Sequence, residues 1–134
     1  RRHLPDATAR PLRLDGHPWW DDVEMAPSSS IEPWRIALHD LSVATSGNYR
    51  RGFAAGGRHY SHSFDPATGR PIVNGVSSVT VLHRQCVMAD GWATALTVLG
   101  PKAAISLADE QDLAVCVVAG NREHLSLAWR EMLE

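Results

Sequence analysis

The sequence predicts an α+β fold, a mixed or antiparallel sheet with helices packed on it, and three observations predict it. Extended segments come first and helical windows later, in blocks rather than in strict alternation. Residues 112–119 are apolar on both faces, the pattern of a strand interior to a sheet. Gly100-Pro101 then separates two helical windows, as a helix stop followed by a proline start does. With 134 residues and 44% apolar content the chain has the makings of one ordinary domain. A domain of that size buries roughly two-thirds of the surface of its unfolded chain and needs no disulfide to fold.

The elements follow in order. Residues 1–33 carry five prolines and the Ser28-Ser29-Ser30 run, and are expected to be poorly ordered or partly extended, with a short strand near residues 12–14. Trp19-Trp20 leads into Asp21-Asp22-Val23-Glu24, a run too acidic for a strand. The domain proper is expected over 34–134. Residues 35–39 and 41–45 read as extended around Asp40, and Ser46-Gly47-Asn48 as a turn. Residues 49–54 and 58–64 read as a hairpin about a Gly-Gly bend. Asp65-Pro66-Ala67-Thr68-Gly69-Arg70-Pro71 is a rigid multiple turn, and 78–83 a strand. Helices are expected over 85–99, 102–109 and, amphipathic and closing the chain, 122–133.

Charge narrows the partners. Thirteen Lys and Arg against 15 Asp and Glu leave a net charge of −2, without the basic excess that nucleic-acid binding calls for. The cations are nevertheless concentrated in the middle, where Arg50, Arg51, Arg58, Arg70 and Arg84 face only Asp65 over residues 42–84. Arginine suits two-point contact with phosphate or carboxylate, so an anion belongs there, unless this is simply a solvated arginine-rich surface. No apolar run reaches the ~20 residues of a membrane-spanning helix. Cys86 and Cys116 lack metal or redox spacing and read as small core residues. The opening Arg1-Arg2-His3, without Met, suggests a piece of a longer protein.

Three local groups carry chemistry. In an extended 58–64 segment Tyr60, His62 and Phe64 share a face. A desolvated imidazole held there suits a general base near neutral pH, although a core histidine with a satisfied hydrogen bond has the same pattern. On the 85–99 helix Asp90 and Thr94 are stacked neighbours, with Thr97 close to the same line and Met88, Trp92, Ala95, Leu96 and Leu99 on the opposite, packing side. A carboxylate and a hydroxyl side by side suit Mg²⁺, which fills its octahedron with water and substrate phosphate; a solvent-facing polar edge is the plain alternative. Thr45-Ser46-Gly47 offers hydroxyls and backbone N–H groups that can cradle an anion, with Arg50 and Arg51 behind, or an ordinary turn.

In order and spacing, these segments resemble a known family. Ala44-Thr45-Ser46-Gly47-Asn48-Tyr49-Arg50-Arg51, then Tyr60-Ser61-His62-Ser63-Phe64-Asp65-Pro66-Ala67-Thr68-Gly69-Arg70-Pro71, then Ser78-Val79-Thr80-Val81 and Ala89-Asp90-Gly91-Trp92-Ala93-Thr94-Ala95-Leu96 with Leu99-Gly100 are similar to motifs of the FAD:protein FMN transferases, the ApbE family. Asn48 stands where that family more often has Asp. The resemblance implies an ApbE-like α+β fold of which this chain is roughly the C-terminal half. It implies Mg²⁺ as cofactor, FAD as substrate, and transfer of FMN to a threonine hydroxyl of a target flavoprotein with release of AMP. By position it assigns His62 as the catalytic histidine, Asp90 and Thr94 as metal ligands, and Thr45, Ser46 and Gly47 to the flavin and phosphate site. It further implies a partner that is a flavoprotein subunit of a membrane redox complex, export to the periplasmic side with an inner-membrane anchor, and a need for the N-terminal half or a second copy. An Mg²⁺-dependent FAD pyrophosphatase and a non-catalytic flavin-binding or assembly module remain the alternatives.

Overall fold

The computed structural model describes residues 2–4, 19–23, 31–32, 34–38, 40–47, 53–55, 58–60 and 63–133. In chain order the strands before the helices are β1 (Arg2–Leu4), β2 (Trp19–Val23), β3 (Trp34–Leu38), β4 (Ser42–Gly47), β5 (Phe53–Ala55), β6 (Arg58–Tyr60), β7 (Phe64–Asp65), β8 (Arg70–Pro71) and β9 (Val76–His83). Helices α1 (Cys86–Leu99) and α2 (Pro101–Glu110) follow, then β10 (Ala114–Ala119), β11 (Arg122–Leu125) and α3 (Leu127–Glu131).

The central sheet has the order β11-β10-β9-β4 and is antiparallel throughout. A three-stranded sheet, β1-β3-β2, pairs β3 in parallel with β1 and antiparallel with β2. Trp19–Val23 is therefore a strand, against the expectation from its acidic run. It lies at the edge of its sheet, where charged side chains are tolerated. The strand expected near residues 12–14 falls outside the described residues. The Gly-Gly hairpin is present as β5 and β6, in register Ala54 to His59. The Asp-Pro turn is fixed locally: the Asp65 carbonyl accepts from the Thr68 and Gly69 amides at 3.2 and 2.7 Å, and its carboxylate accepts from the Ala67 amide at 2.8 Å. Gly69 closes that turn at φ 65°, a conformation glycine adopts without penalty.

Strand alternation gives the central sheet two buried faces. Val79, Val81, Val115 and Val117 pack under the helices with Ala93, Leu96, Ala104 and Ala108. Leu82, Ala114, Cys116 and Val118 point the other way and pack with Trp34, Ile36 and Trp129. The two-faced apolar reading of 112–119 is met by β10, which is buried along nearly its whole length. Trp34 meets Trp129 edge to face, with centroids 5.7 Å apart, and donates its indole N–H to Glu123 at 2.8 Å.

Residues 122–133 are not the single helix the periodicity predicts. Gly120, at φ 60°, turns the chain back so that β11 pairs with β10, from Ala119–Arg122 to Cys116–Leu125. The helix starts at Leu127 with Ser126 as its N-cap, the hydroxyl accepting from the Trp129 amide at 3.4 Å and also serving β10. The buried hydroxyl of Ser126 accepts from the Val115 amide at 2.8 Å and donates to the Leu113 carbonyl at 2.7 Å. Its own amide bonds the Val115 carbonyl at 3.0 Å. Asp109 then accepts from the Leu127 amide at 2.8 Å. Local helical pattern yields here to buried β10 groups that need partners. Ser126→Ala should therefore lower the unfolding free energy by about 1–3 kcal/mol, the cost of leaving a buried amide and carbonyl unmatched, and urea unfolding measures it.

Candidate functional site

Helix α1 packs on β4 and β9. Its buried residues are Ala89, Ala93, Leu96 and Thr97. This differs from the expected packing side. Of Met88, Trp92, Ala95, Leu96 and Leu99 only Leu96 is buried, while Met88 and Leu99 stay 40% and 46% exposed. The two alanines let the helix axis approach the strands closely, and Ala44, Val79 and Val81 pack in one cluster with Ala93 and Leu96. Thr97, expected beside Asp90 and Thr94, is fully buried and donates its hydroxyl to the Ala93 carbonyl at 2.7 Å.

Asp90 and Thr94 are both exposed, one turn apart and flanking that buried stripe. A carboxylate and a hydroxyl in this arrangement are hard oxygen donors with water access, the donor set of Mg²⁺ rather than of a soft transition metal. Among the described residues no three His, Cys, Asp or Glu side chains gather into a metal site. One carboxylate and one hydroxyl match the one or two protein groups that Mg²⁺ commonly takes when water and phosphate complete its shell.

Thr45, Ser46 and Gly47 belong to β4 rather than to a free turn, pairing with Thr80, Val79 and Ser78. The pleat separates them. Ser46 lies with Ala44 on the α1 side of the sheet, and Thr45 faces the opposite side, where its hydroxyl meets that of Thr80 at 2.9 Å. β4 is the outer strand of its sheet, so alternate N–H groups face away from β9 and keep the capacity to bind an anion. His62 lies outside the described residues, as do Asn48, Arg50 and Arg51. Phe64, expected on the histidine's face, is 54% exposed. The structure thus brings the helix bearing Asp90 and Thr94 onto the strand bearing Thr45, Ser46 and Gly47.

Two residues at this site escape a reading of the sequence. Thr80 partners Thr45, which only the strand register reveals. Asn74 donates to the Thr97 and Val98 carbonyls at 2.8 and 3.2 Å and accepts from the Val76 amide at 3.1 Å. Asn74-Gly75 signals only a turn. Elsewhere, a cavity of about 600 Å³ opens where β9 ends, walled by Leu41, Leu82, Arg84, Asp112, Glu131 and Met132 among others; neither Asp90, Thr94 nor the β4 element lines it.

The sequence model of the ApbE family matches residues 8–117. The chain belongs to the ApbE family. A curated FAD:protein FMN transferase of Vibrio cholerae is 38% identical over 132 residues, covering 91% of this chain and 38% of the relative. One from Haemophilus influenzae is 34% identical, covering 82% of this chain and 32% of the relative. The apo crystal structure of Pseudomonas stutzeri flavinyl transferase ApbE superposes with a TM-score of 0.76 at 35% identity, over 89% of this chain and 38% of that one. The ApbE-like α+β reading therefore holds, and the chain spans about two-fifths or less of the length of these relatives.

An exposed polar pair on an ApbE helix contributes little to folding. Asp90→Ala and Thr94→Ala should each change the unfolding free energy by no more than about 0.5 kcal/mol. Leu96→Ala, in the buried stripe beside them, should cost about 2–5 kcal/mol. Denaturant unfolding of the three variants checks the contrast.

Proposed function

We propose that the protein carrying this chain transfers FMN from FAD to a threonine hydroxyl of a target flavoprotein, releasing AMP. The observation that carries the reading is the exposed Asp90–Thr94 oxygen pair on a helix seated directly on the strand of the Thr45-Ser46-Gly47 element. Asp90 and Thr94 would hold Mg²⁺, and the bound ion would supply positive charge to the diphosphate as negative charge shifts onto its leaving oxygen. The Thr45-Ser46-Gly47 element lines the flavin and phosphate site. His62 accepts the proton of the target threonine as its oxygen attacks the FMN phosphorus. The new phosphoester bond forms, the bond to the bridging oxygen breaks, and AMP leaves with the electron pair.

The remaining three-fifths of the relatives' length contributes the rest of the site, so the 134-residue chain alone should transfer no flavin. In this reading the acceptor is a flavoprotein subunit of a membrane redox complex, and the full protein acts on the periplasmic side, anchored to the inner membrane. That placement rests on the motif resemblance; no helix among the described residues is long and apolar enough to cross a membrane.

The test uses the full-length protein, FAD, Mg²⁺ and a threonine-bearing acceptor. Flavin fluorescence that stays on the acceptor through denaturing electrophoresis, with AMP released one for one, is the expected result. Free FMN with AMP would instead mean pyrophosphatase chemistry, and FAD bound unchanged would mean a binding module. His62→Ala should slow transfer about 10²–10⁴-fold, the usual weight of a general base, while FAD still binds. Asp90→Ala should raise the Mg²⁺ concentration needed for half-maximal transfer, and an unchanged requirement would reject the metal assignment.

A further inference from the structure

We infer that Asn74 is a positioning residue for the Asp90–Thr94 pair, acting through the C-terminal end of α1; the inference rests on the metal reading proposed above. In an unbroken helix the carbonyl of Thr97 would accept from the amide of residue 101. Residue 101 is proline and has no N–H. Gly100, at φ 83°, has also turned the chain into α2 by then. The Thr97 carbonyl therefore ends α1 without its regular partner, in a fully buried residue, and leaving it so would be costly.

Asn74 supplies what Pro101 cannot. Its amide nitrogen donates to Thr97 at 2.8 Å and to Val98 at 3.2 Å, and its amide oxygen accepts from the Val76 amide at 3.1 Å. One side chain thus pins the end of α1 to the start of β9. The loop that carries it is pinned in turn: Gly75 turns at φ 77°, and its carbonyl accepts from the Gly120 amide at 3.3 Å.

Such a pin sets where Asp90 and Thr94 stand. Much of the α1 seat is Ala89 and Ala93, short side chains that form shallow ridges and resist sliding less than long ones do. A shift of one residue along the axis moves an oxygen donor by about 1.5 Å, against metal–oxygen distances of about 2.0–2.1 Å for Mg²⁺. Partners outside the ligand shell commonly change metal affinity by 10–100-fold for this reason.

The experiment titrates the full-length protein with Mn²⁺ as a spectroscopic stand-in for Mg²⁺, read by the loss of the free-ion paramagnetic resonance signal, so that no turnover is involved. Asn74→Asp keeps the acceptor for Val76 but sets oxygen against the two carbonyls, and should weaken Mn²⁺ binding about tenfold. Ser126→Ala, which destabilises the fold without touching α1, should lower the melting temperature and leave Mn²⁺ affinity unchanged. Should Asn74→Asp not fold, Asn74→Ser removes the two amide donors without adding charge and is read in the same way. Wild-type affinity in the Asn74 variant, or an equal loss in Ser126→Ala, would overturn the inference. Asp90→Ala separates the two proposals: if it binds Mn²⁺ as the wild type does, the metal reading itself fails.

Discussion

The close seat of α1 on β4 and β9 is the constraint on which the rest of the molecule depends. Ala89 and Ala93 lie buried in it as short side chains that allow a close approach, and Leu96 packs with Val79 and Val81. The same seat decides what remains outside. With Ala89, Ala93, Leu96 and Thr97 buried, the helical repeat leaves Asp90 and Thr94 beside that stripe, in water. A bulkier residue at 89 or 93 would lift the helix and carry both oxygens with it.

The opposite face of the sheet does different work. Trp34, Ile36 and Trp129 cover Leu82, Ala114 and Cys116, and Ser126 ties the chain leading into α3 to the start of β10. None of these groups is chemically reactive toward a diphosphate. They cover the face of β9 and β10 that points away from α1.

What the sequence discloses here follows the range of its signals. The Gly-Gly hairpin, the Asp65 turn and the start and stop of α1 are written in contiguous residues, and each is where local chemistry puts it. Asp90 and Thr94 were legible as a pair because four-residue spacing is itself local. The side of α1 that packs was not. An apolar stripe of Met88, Ala95 and Leu99 and a small-residue stripe of Ala89 and Ala93 compete on one helix, and only the strands beneath choose between them. Arg122–Leu125 reads as helix by period but is held as strand by pairing with β10. Asn74 is silent for the same reason, since its partners lie 23 and 24 residues away.

The β4 element shows how far a motif can be trusted before its pleat is known. Thr45 and Ser46 are adjacent in sequence and look like one cradle. In a strand adjacent side chains leave by opposite faces, so the two hydroxyls cannot address the same group from the same side. Thr45 already shares a proton with Thr80 across the sheet. A phosphate resting on the α1 side would therefore meet Ser46 and the outward N–H groups of an edge strand. Gly47 follows on the Thr45 side of the pleat, so of the three residues only Ser46 faces α1.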